Sequence, residues 1–316
     1  MLGLADMPKE NLLPYMNSNN NKLEVKGHMG KTIVFSDKDD LNNFWKDYKS
    51  KSQMEDIFNF WKYNGAYDTD LVNFKDLIIE NLKEKNILLE DSFSKKDIEL
   101  KNLHKHIDPK FIKLDETEQN DVSVSFYDIS KKLYQIYKGF IKNYISPLFN
   151  EPVYYQLTPT FRFHFPKQKG YNWEDRYHTD VMLGHPPYEF NIWLPFTKVY
   201  NSNSMRLMPL QDSVELILKC NHDFEIFAER VQHDKEFMMI SKEKSSPLDM
   251  DYGSFIIFDP RCLHCTQYNQ SEDTRISMDV RIILESGLKK YSRKYKTTGR
   301  KKMLFEPGHY YSEESV

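Results

Sequence analysis

Seven short apolar runs in the second half of the chain, separated by Pro, Gly and Asn, most constrain its fold. Their residue types and length are typical of β-strands, and closely spaced strands predict a sandwich or barrel. We predict a double-stranded β-helix, a jelly-roll or cupin-like core over residues 151–288 whose open end can hold a metal. The runs are 154–157, 160–165, 177–183, 190–196, 204–209, 254–258 and 275–284.

The first half of the chain has helical patterns instead. Apolar residues at helical spacing predict helices over Ser36–Tyr48, Met54–Tyr63 and Ser125–Ile145. We therefore expect an α+β protein whose mainly helical residues 31–150 pack on one sheet of the core. Residues 1–30 are predicted to be a polar lead-in and residues 289–316 a basic tail, although residues 2–316 could act as one domain.

Composition argues against several classes of partner. The chain has 44 basic and 47 acidic residues, a net charge of −3, so neither a nucleic-acid nor a membrane-binding surface is expected. Three cysteines do not suggest a disulfide framework, and the first residues lack the pattern of a signal peptide. We expect a cytoplasmic protein that acts on a small molecule, with its oligomeric state left open.

A candidate metal site combines two histidines and an aspartate. His178 and Asp180 lie two residues apart in a predicted strand, so that both side chains would leave one face. His264 follows the apolar run 254–258. Two imidazoles and one carboxylate can bind Fe(II) on one face of an octahedron and leave the other positions open. A hydrogen-bonded surface pair would explain His178 and Asp180 equally well if they stood alone.

The strand predicted after His264 adds a candidate anion site. Its polar residues Arg275, Ser277, Asp279 and Arg281 alternate with apolar ones and therefore share a face. A guanidinium group beside a hydroxyl can hold a carboxylate through two hydrogen bonds. Arg275 is the first candidate and Arg281 the alternative.

The H-x-D pair, the distal histidine and the arginine followed by x-Ser resemble the Fe(II)/2-oxoglutarate-dependent dioxygenases. Over residues 154–284 the chain is most similar to the branch with phytanoyl-CoA hydroxylase and the streptomycin-biosynthesis type of small-molecule hydroxylases. The resemblance implies Fe(II), 2-oxoglutarate and O2 as cofactors, with His178, Asp180 and His264 as metal ligands. It also implies that Arg275 and Ser277 hold the far carboxylate of 2-oxoglutarate.

The reaction that this resemblance implies is hydroxylation of an unactivated C–H bond, with release of succinate and CO2. The substrate would be a small polar molecule such as a sugar, an aminocyclitol, or a secondary-metabolite or capsule precursor. Desaturation, cyclisation and epimerisation stay open. Asn191 and Arg162 are further candidates for the cofactor pocket, and His164 and His185 for contact with substrate. We expect the loop 184–187, the insertion 222–246 and the N-terminal helices to wall the pocket.

Other readings of these motifs remain. A non-oxidative cupin-like metal enzyme, such as an isomerase, could use the same ligands but would not need Arg275 and Ser277. A lectin-like binding module with a vestigial metal site would not need the complete triad. Cys262-x-x-Cys265 could suggest zinc, but a structural zinc site generally has four ligands, and the chain has no second pair of this kind.

Overall fold

The computed structural model describes residues 23–27, 31–35, 53–95, 97–171, 174–220, 223–294 and 304–316. Helices and antiparallel sheets are mixed in this part of the chain. The strands are β1 (Leu23–Gly27), β2 (Lys31–Phe35), β3 (Lys62–Ala66), β4 (Val153–Tyr155), β5 (Thr160–His164), β6 (Glu189–Pro195), β7 (Met205–Leu207), β8 (Ser246–Pro247), β9 (Ser254–Phe258), β10 (His264–Thr266) and β11 (Arg275–Leu284). The α-helices are α1 (Gln53–Phe58), α2 (Phe74–Glu84), α3 (Glu90–Phe93), α4 (Asp121–Ser125), α5 (Lys131–Phe140), α6 (Leu210–Lys219), α7 (Phe224–His233), α8 (Lys235–Lys244) and α9 (Glu285–Lys294).

Strand β11 is the centre of the larger sheet. The strand order is β3-β9-β6-β11-β4, and β5 pairs with β11 on the same side as β4. Strand β5 pairs with the first half of β11, where Arg275 lies opposite His164, and β4 pairs with its last residues. Each pairing is antiparallel.

A smaller antiparallel sheet has the order β10-β7-β8. The segment before Asp180 extends this sheet, because His178 forms an isolated antiparallel bridge with His264. Strands β1 and β2 form a separate hairpin.

The two faces of the larger sheet have different neighbours. Ile276, Met278 and Val280 of β11 belong to one buried cluster with residues of α2 and α5, among them Phe74 and Phe140. On β6 and β9, the residues of the other face pack with Met205 and Leu207 of the smaller sheet; they are Trp193, Ile256 and Phe258. The alternation along β11 therefore directs its polar residues into the space between the sheets.

Several predicted elements differ from the structure. The predicted strand 177–183 is wrong, because Val181–Leu183 is a 3-10 turn. The helix predicted over Met54–Tyr63 ends at Phe58, and strand β3 follows it. The helix predicted from Ser125 begins at Lys131, where the Ser130 side chain caps it, and it continues as a π-helix over Ile141–Ile145. The predicted helix Ser36–Tyr48 lies outside the described residues.

The end of the described chain returns to the larger sheet. Val316 exchanges backbone hydrogen bonds with Val153 of β4, and the N–H of Ser312 donates to Tyr155. Tyr311 is fully buried, so part of the segment predicted as a basic tail packs against the rest of the described chain. Within the described ranges, no helix has both the length and the apolar character needed to cross a membrane.

Candidate metal and anion site

The two histidines of the candidate triad meet at the smaller sheet. His178 and His264 exchange backbone hydrogen bonds of 3.0 and 2.9 Å, and their ring centroids lie 4.3 Å apart. Asp180 is positioned by a turn instead of by strand pairing, because it precedes the 3-10 turn Val181–Leu183. One ligand atom from each of the three residues lies within 4.8 Å of the other two. The structure therefore brings the predicted triad together, although it does so with a turn where a strand was predicted.

The protonation of the triad suits a cation. Burial lowers the pKa of both imidazoles, most strongly for His178, which is also beside His264. The Nδ1 atoms lie 3.3 and 3.0 Å from the carbonyl oxygens of Arg176 and Cys262. A carbonyl can only accept, so each Nδ1 carries the proton, and Nε2 is the ring nitrogen whose lone pair can bind a metal.

The carboxylate of Asp180 is ionised and paired. Burial is the largest effect and would raise its pKa, but the guanidinium of Arg281 and the other neighbouring groups together outweigh burial and hold the pKa well below its usual value. The Nε and Nη2 atoms of Arg281 each lie 2.9 Å from Oδ2 of Asp180. The predicted role of Arg281 as the alternative carboxylate anchor therefore competes with an existing ion pair.

Arg275 differs from its neighbours, because no carboxylate contacts it among the described residues. It is 2% exposed, and burial lowers its pKa to about 10. Its Nη2 lies 2.9 Å from Nε2 of His164, whereas Nε has no hydrogen-bond partner. The Oγ of Ser277, on the same strand face, is also buried without a partner. Unpaired buried polar atoms of this kind indicate a missing partner.

The residues of β5 face the same space. Arg162 Nε lies 2.8 Å from Asp279 Oδ2, so this arginine is already paired. His164 accepts from Arg275, and burial together with that cation places its pKa well below the usual value. A narrow pocket between the sheets contains most of these groups. Its lining residues are Arg162, His178, Trp193, Met205, His264, Cys265, Thr266, Arg275, Asp279 and Arg281.

The other predicted residues lie at the margin of this site. Asn191 is buried and lies opposite Arg281 in the pairing of β6 with β11. Its side-chain Oδ1 has no hydrogen-bond partner, but this oxygen is an acceptor and cannot donate to a carboxylate. The ring of His185 turns to Glu189, with Nδ1 2.8 Å from Oε2, and the described pocket lining does not include it. Its backbone N–H donates to the carbonyl of Asp180.

The predicted insertion 222–246 contains helices α7 and α8. Buried residues of these helices, Phe227 and Val231 among them, pack with Tyr177 and Val181 on either side of the metal ligands. The insertion thus supports the segment that carries the H-x-D motif.

Sequence reasoning missed part of the pocket wall. Met205 and Thr266 line it from the smaller sheet, and only the pairing of β7 with β10 brings these two residues together. A larger cavity of about 510 Å3 lies elsewhere, along β3 and residues 246–251, and none of the predicted site residues lines it.

Comparison with known proteins finds no matching family model. A streptomycin biosynthesis protein, StrG from Streptomyces griseus, is 25% identical over 170 residues, which are 54% of this chain and 65% of that protein. The chain thus spans less than two thirds of the length of this curated relative.

Similar solved structures include SnoK, described as a non-haem α-ketoglutarate-dependent carbocyclase from nogalamycin biosynthesis. Its TM-score is 0.43 at 11% identity, over 80% of this chain and 88% of that one. EctD from S. alaskensis with bound Fe has a TM-score of 0.41 at 11% identity, over 75% and 78% of the two chains. The similarity to StrG agrees with the streptomycin-biosynthesis branch of the resemblance stated from the motifs.

Proposed function

We propose that this protein is an Fe(II)- and 2-oxoglutarate-dependent oxygenase with a double-stranded β-helix core. The observation that carries the proposal is one pocket lined by His178 and His264 of a buried His-Asp-His triad and by a buried arginine without a carboxylate partner. The donor set fits Fe(II), since two neutral imidazoles and a carboxylate are its ligands in this class of site.

The charges fit the co-substrate. Arg162 and Arg281 are paired with Asp279 and Asp180, so among the arginines in the described pocket lining Arg275 is the guanidinium available to an anion. Arg275 Nε and Ser277 Oγ both lack partners, and both can donate to a carboxylate. We therefore assign the far carboxylate of 2-oxoglutarate to Arg275 and Ser277, and the metal to His178, Asp180 and His264.

When bound, iron and 2-oxoglutarate supply the oxidation, in which O2 is consumed and succinate and CO2 are released. The chain's residues orient the ligands: the carbonyls of Arg176 and Cys262 fix the two imidazole tautomers. The sheets bury the triad and thereby exclude water from it. The proposed reaction is hydroxylation of a small polar biosynthetic molecule. Arg162, which lines the pocket, and its strand neighbour His164 are the candidates for contact with it.

The test is anaerobic titration of the metal-free protein with Fe(II) and then 2-oxoglutarate. A chelated 2-oxo acid gives Fe(II) a visible charge-transfer band, and admission of O2 should then yield succinate. Arg275→Ala should bind Fe(II) but require more 2-oxoglutarate to develop the band. A protein that binds Fe(II) and shows neither band nor succinate would instead be a non-oxidative metal enzyme. Analysis of the product would distinguish hydroxylation from cyclisation or epimerisation.

A further inference from the structure

The ion pair between Arg281 and Asp180 joins two parts of the chain whose backbones are hydrogen-bonded in different ways. Arg281 lies within β11, where its N–H donates to the Gln156 side chain and its carbonyl accepts from the Gln156 N–H. The opposite strand, β6, pairs Asn191 with it. Asp180 has no strand neighbours of this kind, since it precedes a 3-10 turn and donates its N–H to the carbonyl of Pro260.

The contact is made to one oxygen of the carboxylate. Nε and Nη2 of Arg281 both approach Oδ2 of Asp180, each at 2.9 Å. The pair is shielded from water, because the side chains of Arg281 and Asp180 are 12% and 2% exposed. Two donors on one acceptor restrict rotation of the carboxylate, and Oδ1 is left out of the pair.

We propose that Arg281 is a positioning residue for the metal centre, a role that rests on the proposed function. It holds Oδ2 so that Asp180 offers Oδ1 to the metal between His178 and His264. A carboxylate held in this way binds through one oxygen and leaves coordination positions for the co-substrate. Arg281 therefore acts through Asp180, and the 2-oxoglutarate carboxylate is left to Arg275.

Metal binding without turnover tests this role. The full chain, stripped of metal, is titrated with Co(II), and affinity and visible spectrum are recorded before and after 2-oxoglutarate is added. Loss of a hydrogen-bond partner of a metal ligand typically weakens metal affinity about 10–100-fold. Arg281→Met should show this loss and a changed Co(II) spectrum, because Asp180 can then rotate. Arg281→Lys, which keeps the charge but not the two-pronged contact, should be intermediate.

Two further variants serve as controls. Arg275→Lys should bind Co(II) as the wild type does, since Arg275 does not contact the triad. Its spectrum should change only at a higher concentration of 2-oxoglutarate.

Arg281→Met leaves a buried carboxylate unpaired and could fail to fold. Asp180→Asn combined with Arg281→Met removes both charges and should recover the melting temperature. If Arg281→Met does not fold, the Co(II) affinity and spectrum of Arg281→Lys decide the question.

Several outcomes would overturn the assignment. Wild-type Co(II) affinity and spectrum in both Arg281 variants would exclude a positioning role. If those variants also lost the response to 2-oxoglutarate, Arg281 would be the carboxylate anchor. A wild-type protein that bound no Co(II) would contradict the proposed function itself, before any Arg281 variant was compared.

Discussion

Three guanidinium groups line the pocket between the sheets, and their partners give them different roles. Arg162 is paired with Asp279 and Arg281 with Asp180. Arg275 instead donates to His164 and lies over the ring of Trp193, and neither of these partners is a carboxylate. An incoming dianion would therefore meet one cation whose charge is not already compensated by a carboxylate. The proposed binding of a carboxylate in this pocket therefore depends chiefly on Arg275.

Arg275→Ala should weaken binding of 2-oxoglutarate about 10–100-fold. A charge-assisted hydrogen bond contributes about 1.5–3 kcal/mol, and each 1.4 kcal/mol is a factor of about ten. Metal affinity should stay near the wild-type value, because Arg275 does not contact the triad. Titration of 2-oxoglutarate into the Fe(II)-loaded protein without O2 measures the effect. If Arg281→Ala lost more affinity for 2-oxoglutarate than Arg275→Ala does, Arg281 would be the residue that binds the carboxylate.

His178→Ala should abolish stable metal retention and succinate formation. The change removes one of three ligands, and the remaining two cannot hold one face of the metal. The β scaffold should keep its folded content, which circular dichroism can check, since the backbone bridge to His264 does not involve the imidazole. Iron analysis after gel filtration gives the occupancy. Full occupancy in this variant would show that the ligand set is wrong.

His164 should make stability depend on pH. Its pKa is lowered in the folded state by burial and by Arg275, while in the unfolded chain it is about 6.5. As pH falls below about 6.5, the unfolded chain binds a proton that the folded one does not, so stability decreases by up to about 1.4 kcal/mol per pH unit. His164→Asn should have a flatter profile between pH 7.5 and 5.5 in urea unfolding. Equal slopes for both proteins would contradict this account.

The sequence allowed the triad and the polar face of β11 to be predicted, because both depend on short spacings. The alternation of Arg275, Ser277 and Arg281 follows from the two-residue period of a strand. The pairing of Arg281 with Asp180 could not be predicted in this way. It depends on how the turn after His178 packs against β11, which no local pattern encodes.

At the scale of elements, the H-x-D segment shows why the predicted strand was wrong. Alternating polar and apolar residues satisfy a strand pattern, but only His178 makes a bridge, and the chain then turns at Val181–Leu183. Gly184 ends that turn with φ of 91°, in the left-handed region. Such a conformation is readily adopted by glycine and strained for other residues.

Gly184→Ala should lower the free energy of unfolding by about 1–2 kcal/mol, the cost of a left-handed conformation for an L-residue. Metal affinity should also fall, because the strained turn begins at Asp180. Gly139→Ala is a matched control within α5, where a new Cβ would have no neighbour within 4 Å. It should stabilise the protein by about 0.5–1 kcal/mol. Chemical denaturation gives the free energy of unfolding of both variants. If Gly184→Ala and Gly139→Ala changed this free energy equally, the turn would tolerate a side chain.

At the scale of the whole molecule, the chain end completes the packing behind the metal site. The hydroxyl of Tyr311 donates to Oε1 of Glu189, and the other oxygen of this buried carboxyl group contacts His185. His185 in turn bonds through its backbone to Asp180. The strand-rich core could be predicted from its apolar runs. The basic composition of residues 289–302 gave no indication that the chain returns to β4. The contact between Tyr311 and Glu189 joins residues far apart in the sequence, and no periodic pattern can predict such a contact.

Tyr311→Phe should therefore lower the free energy of unfolding by about 1–3 kcal/mol, because it removes the donor to a buried acceptor while the ring still fills its place. Tyr144→Phe is the control, since its hydroxyl accepts only an exposed backbone N–H, from Asp68; its effect should be about 0.5 kcal/mol or less. Deleting residues 304–316 should have a larger effect than Tyr311→Phe, as it also removes the buried ring of Phe305 and unpairs Val153. Urea unfolding of Tyr311→Phe, Tyr144→Phe and the deletion variant ranks their free energies of unfolding. A deletion variant as stable as the wild type would show that the core of the metal site folds without this segment.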